Sequence, residues 1–133
     1  MRPLRALLRN QRGGAVIEFA SALPIMVTLL IGILQSGLML YAKSGMRNGV
    51  GEGVRYAKVY RTAESDVVLS KVRAAAFGVQ ANGIRTLTFQ RSTNANGEDL
   101  VTIAMTYQPS SFIPFVSRLP ITLSESRTVY LPE

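Results

Sequence analysis

Positions 19–42 form a run of 24 residues without a charge, bounded by Glu18 on one side and Lys43 on the other. As a helix rising about 1.5 Å per residue the run reaches about 36 Å, enough to cross a hydrocarbon core of about 30 Å. The pattern predicts one transmembrane span over 19–42. Pro24 lies near its start, where the missing N–H is expected to kink the helix around residues 20–23. Gly32 and Ser36 make a small-x-x-x-small pair suited to close helix contact.

Charges return after Tyr41, yet Met46, Val50, Val54 and Ala57 still recur at three and four. The helix is therefore predicted to continue out of the membrane to about residue 61, with its apolar side facing a partner. Gly45, Gly49 and Gly53 recur at four along the same stretch. They read either as a strip along which another backbone approaches closely or as a hinge, since each mid-helix glycine costs roughly 1 kcal/mol against alanine. A second helix is predicted next, capped by Thr62 or Ser65, with Glu64 and Asp66 at the positive end of its dipole. Its buried face would be Val68, Leu69, Val72, Ala75 and Ala76, and Gly78 would end it.

From Asn82-Gly83 the period changes from about 3.6 to 2. Leu87 and Phe89 alternate with Thr86, Thr88 and Gln90, and Asn94-Ala95-Asn96-Gly97 turns the chain into a strand whose Val101, Ile103, Met105 and Tyr107 share a face. That is a β-hairpin. A proline-flanked loop over 109–120 then carries Phe112, Ile113, Phe115 and Val116, as a lid on the core or as an exposed docking surface. A last strand over 121–131 is expected to rejoin the sheet. The predicted fold class is α+β: a long N-terminal transmembrane helix continuing into a small domain of one helix packed on a three-stranded antiparallel sheet. The predicted domains are a basic cytoplasmic leader (1–13), the N-terminal helix (14–61) and an extracytoplasmic α+β domain (62–133).

Charge changes this picture only in its orientation. Of the net +7, four positive charges come from Arg2, Arg5, Arg9 and Arg12 ahead of the span, while residues 43–133 carry 11 basic against 7 acidic side chains, a net +4. Basic residues on the N-terminal flank predict a cytoplasmic N-terminus and a domain on the far side of the membrane. A secretory signal peptide fits less well, because the apolar run is long and Leu40-Tyr41-Ala42-Lys43 is a poor cleavage site. The domain offers no aromatic-basic platform for nucleic acid.

Cysteine and histidine are both absent, which removes the usual general base, the usual metal ligands and the most reactive nucleophile. The acidic residues are scattered or sit in a turn. Neither a calcium loop nor a phosphate-binding glycine loop has its required spacing. The sequence predicts no catalytic residues, no metal, no cofactor and no enzyme. The expected function is assembly.

The edge of the span carries that expectation. Glu18 is a carboxylate beside an apolar run, where an uncompensated acid costs up to roughly 2.5–3.5 kcal/mol at the membrane centre and less near the interface. If the chain is cut after Gly13, the new amine of Gly14 lies about one helical turn before Glu18, within one subunit or between neighbours aligned in depth. The alternative is an uncut chain whose Glu18 reaches back to the interface.

The run Arg12-Gly13-Gly14-Ala15-Val16-Ile17-Glu18-Phe19-Ala20, with the apolar span and Pro24 behind it, resembles the TadE-like minor pilins, or pseudopilins, of the tight-adherence (Tad/Flp) type IV pilus system. Asn48-Gly49-Val50-Gly51-Glu52-Gly53-Val54-Arg55-Tyr56-Ala57 is similar to that family's small-residue segment, and the last strand resembles its C-terminal end. The resemblance implies cleavage by a prepilin peptidase between Gly13 and Gly14, with Glu18 and Phe19 as assembly residues. Phe19 stands where related pilins often carry Tyr. It further implies a single-pass protein of the bacterial inner membrane with a periplasmic domain, later present in the extracellular pilus. The implied partners are the peptidase, the major Flp pilin, a second minor pilin, the inner-membrane assembly platform and membrane lipid. The competing expectation is an uncleaved envelope scaffold or sensor.

Overall fold

A computed structural model describes residues 13–111 and 121–131. The basic leader up to Arg12 and the apolar residues Phe112, Ile113, Phe115 and Val116 lie outside the described residues. The elements in chain order are helix α1 (Gly14–Val59), helix α2 (Ser65–Ala75), a 3-10 turn (Ala81–Gly83) and strands β1 (Ile84–Thr93), β2 (Asp99–Tyr107) and β3 (Leu123–Tyr130). The strands form one antiparallel sheet in the order β1-β2-β3. The class is α+β, with a long apolar N-terminal helix, a second helix and a three-stranded antiparallel sheet.

The chain divides into two compact units, one ending at Leu34 and the other spanning Gln35–Glu133. In the first unit α1 is apolar on every side. Its most apolar window has a mean hydropathy of 2.2, and none of that window is buried. Ile17, Phe19, Ile25 and Ile33 are all exposed. A helix hydrophobic all round and covered by no protein has the surface of a membrane span. Its few hydroxyls are satisfied within the helix: Ser21 Oγ donates to the Glu18 carbonyl and Thr28 Oγ1 to the Pro24 carbonyl, each at 2.8 Å. α1 continues through Pro24 as one helix.

The boundary after Leu34 falls inside the charge-free run. Residues 35–42 belong to the second unit, where Gln35 and Ala42 are buried.

In the second unit the buried face of β2 (Val101, Ile103, Met105, Tyr107) joins Ala42, Met46, Val50, Val54 and Ala57 of α1 and Val68 and Val72 of α2 in a single core. Both helices thus build the core, whereas the sequence pattern assigned the sheet's cover to the second helix. The reason is length: α2 has 11 residues and buries two valines, too short a stripe for a nine-residue central strand. α1 supplies the rest. α2 begins at Ser65 after Glu64, which is extended and makes no side-chain cap bond, so neither Thr62 nor Ser65 is the N-cap.

The hairpin turn is closed by Asn94, whose Oδ1 accepts the backbone N–H groups of Asn96 and Glu98 at 2.9 Å each. Gly97 follows at φ 85°, a conformation that glycine adopts without a Cβ penalty.

Candidate functional site

The N-terminal edge comes first. Gly14 opens α1, and Glu18 follows four residues on, so the two lie one turn apart on one side of the helix. Glu18 and Phe19 are exposed, and the space around Gly13 and Gly14 is open. Gly32 is equally open: a Cβ added there would meet nothing within 4 Å. Gly32 and Ser36 fall on opposite sides of the unit boundary.

The other three glycines are in a different environment. A Cβ on Gly45 would overlap the Phe77 backbone carbonyl, one on Gly49 would come within 2.6 Å of the Val72 carbonyl, and one on Gly53 would overlap Val72 Cγ2. These three residues form the strip of α1 against which α2 and the segment after it are packed. Asn48 Nδ2 donates to the Ala75 carbonyl at 2.9 Å beside the same strip. Gly78, at φ 67°, lets the chain pass over the Tyr41 ring, which tilts against Phe77 with centroids 5.1 Å apart.

A second polar junction ties α1 to β3. Lys43 Nζ lies 2.7 Å from Glu125 Oε2 and also donates to the Ser124 carbonyl, while Arg47 Nε lies 3.7 Å from Glu125 Oε1. The Glu125 side chain retains only 11% of its accessible surface. The Lys43 hydrogen bond outweighs the opposing effect of burial and, with the nearby charges of Lys43, Arg47 and Arg127, holds this carboxyl below the usual glutamate range. In the sequence Glu125 was one of several scattered acids. Its signal was parity: it shares the inward face of β3 with Leu123 and Val129, where a charge needs a partner.

Gln35 is the other residue that pattern reading passed over. It is buried, and its Nε2 donates to the Ser110 carbonyl at 3.2 Å. An uncharged amide does not interrupt a run defined by charge. With Tyr41, Gln80, Tyr107 and Ser110 it lines a hollow of about 310 Å³ in the second unit. Among the described residues no group of three or more acidic, histidine or cysteine side chains gathers to hold a metal.

The described surfaces are an apolar helix, a carboxylate at its edge and a compact domain. Against known proteins, residues 13–55 match the family model described as TadE-like protein. No curated protein and no solved structure matches the chain. The matched segment covers Gly13 to Glu18, the apolar part of α1 and the glycines Gly45, Gly49 and Gly53.

Proposed function

Because residues 13–55 match the TadE-like family model, we propose that this protein is a minor pilin of the Tad pilus system. A prepilin peptidase cuts it between Gly13 and Gly14, and its N-terminal helix then joins a Tad/Flp pilus or primes its assembly. The observation that carries this reading is the coincidence of the family match with a helix that begins at Gly14 and whose most apolar window is covered by no part of the protein. Residues 14–34, at about 1.5 Å per residue, reach about 31 Å, close to the bilayer's hydrocarbon thickness. In lipid the protein waits as a single-pass subunit with its N-terminus cytoplasmic and its domain periplasmic. In a fibre the same residues pack against neighbouring pilin helices.

Glu18 sets the depth of packing. Once the cut is made, the Gly14 amine is the cation nearest this carboxylate along the helix. A neighbour displaced along the axis would leave one of the two charges unpaired in apolar surroundings, at a cost of several kcal/mol. Gly32 and Ser36 face the major pilin, a second minor pilin or the assembly platform.

Intact-mass measurement after co-expression with the peptidase tests the cut: the expected product begins at Gly14. A chain still carrying its leader, retained with cells when fibres are sheared off, would instead make the protein an uncleaved scaffold or sensor. Glu18→Ala is expected to insert normally and to lower pilus yield, and a normal yield would remove Glu18 from the mechanism.

A further inference from the structure

Three segments of the second unit that carry no charge meet at one end of it. They are residues 35–42 of α1, residues 74–84 at and beyond the end of α2, and residues 107–111 at and beyond the end of β2. Tyr41 tilts against Phe77 with ring centroids 5.1 Å apart, and Gly78 lies against Tyr41 and Ala42. Gln35 Nε2 donates to the Ser110 carbonyl at 3.2 Å, the Gln80 N–H to Tyr107 Oη at 3.4 Å, and Ser110 Oγ to Gln80 Oε1 at 3.3 Å. The opposite end is charged. There Arg91 donates to the Ala63 carbonyl, Arg61 and Asp99 line a hollow with it, and Glu98 accepts from Asn94 in the hairpin turn.

The charge-free end is apolar at its surface, where Leu38, Leu40, Tyr41 and Phe77 are all exposed. Its polar side chains bond one another, so an environment with little water leaves them satisfied. Charges stand only around its rim among the described residues. Lys43 and Arg47 are held by Glu125, at 2.7 and 3.7 Å, and Arg85 donates to the Gln108 side chain.

We propose that this end is seated in the bilayer interface, with lipid headgroups and the upper acyl chains covering Leu38, Leu40, Tyr41 and Phe77. Depth selects lipid as the occupant. Tyr41 is seven residues beyond Leu34 on the same helix, about 10 Å of rise, and helical side chains lean back toward the N-terminus. Outside a hydrocarbon core of about 30 Å the headgroup region adds about 5–8 Å on each side. With Leu34 at the edge of the core, the Tyr41 ring reaches that region, and its contact brings Phe77, from a different element, to the same depth. Aromatic rings favour this level of a bilayer, and cations just beyond them reach lipid phosphates. Contact with water alone does not account for charge gathered at one end of the domain and excluded from the other. The inference rests on the proposed single-pass anchoring of α1 and is independent of cleavage and of pilus assembly.

The chain contains no tryptophan, so single-Trp variants of the full protein in phosphatidylcholine liposomes report depth through quenching by brominated lipid. Met26→Trp, in the span, is expected to lose emission most to bromines near the acyl-chain ends. Phe77→Trp is expected to lose emission to bromines high on the chains. Tyr130→Trp, on β3 beside the charged end, is expected to keep its emission. Tyr41→Trp reads the same depth from α1 should Phe77→Trp disturb folding. Quenching of Met26→Trp with none of Phe77→Trp or Tyr41→Trp would overturn the proposal and leave the anchoring intact, whereas no quenching of Met26→Trp would overturn both. Equal quenching of Tyr130→Trp would also overturn it, because the domain would then lie on lipid without regard to its charge-free end. Emission of Phe77→Trp shifted to the blue without bromine quenching would overturn it too, by assigning this end to a second copy of the chain.

Discussion

Glu125 carries a charge on the inward face of β3 because α1 brings two cations to it. Its carboxyl is held below the usual glutamate range by the Lys43 hydrogen bond first, and Arg47 and Arg127 act in the same direction. In the unfolded chain the same carboxyl takes up its proton at the ordinary value. Between the two values the unfolded state binds more protons, so stability falls as pH falls. The contribution is complete above the ordinary glutamate range and is lost as pH drops from there through the folded value. Urea midpoints should therefore decline below that range in the wild type and decline less in Glu125→Gln. At neutral pH that variant should cost about 1 kcal/mol, as for a pair that is partly wet. The glycines offer a contrast at the same scale. Alanine in a helix is favoured over glycine by roughly 1 kcal/mol, yet Gly45→Ala drives a methyl into the Phe77 backbone and should be net destabilising by about 1–3 kcal/mol. Gly32→Ala meets nothing within 4 Å and gains helix propensity, so it should not destabilise the isolated protein. If Gly32→Ala nevertheless lowers pilus yield, Gly32 packs against another subunit.

At the scale of elements, α1 serves two environments with one periodicity, and this governs what the sequence made legible. The three-and-four spacing of Met46, Val50, Val54 and Ala57 announced a helix running on past the charge-free run, and α1 does run on to Val59. The hairpin was equally plain, since alternation on both sides of an Asn-Gly turn leaves one register, with Phe89 opposite Ile103 and Arg91 opposite Val101. The assignment of the sheet's cover was hidden, because two amphipathic helices present the same kind of stripe and only a helix of sufficient length can cover β2. Hidden too was the division after Leu34. Leu38, Met39 and Leu40 are as apolar as the residues before them, and the partner that buries Gln35 lies 75 residues away, at Ser110. Hydropathy reports the preference of a side chain for an apolar medium. It does not distinguish lipid from the interior of a domain.

For the molecule as a whole, the division predicts that its two units answer to different solvents. Among the described residues every buried hydrophobic side chain of the core lies between Ala42 and Leu131, within Gln35–Glu133. The unit ending at Leu34 contributes none of them. Its apolar surface carries no folding stability in water and a strong penalty for being left in water, since each exposed Leu or Ile side chain forgoes roughly 1.5–3 kcal/mol of burial. A chain beginning at Gln35 should therefore stay folded, with the far-UV circular dichroism of an α+β domain and a cooperative urea transition, and should remain soluble without detergent. It has about a hundred residues, enough for a single modest core. The full chain should need detergent or lipid and should show the same urea midpoint, because none of the described residues before Gln35 belongs to the core. A much lower midpoint in the shorter chain would mean that residues before Gln35 support the domain, and the helix and domain would then have to be treated as one cooperative body.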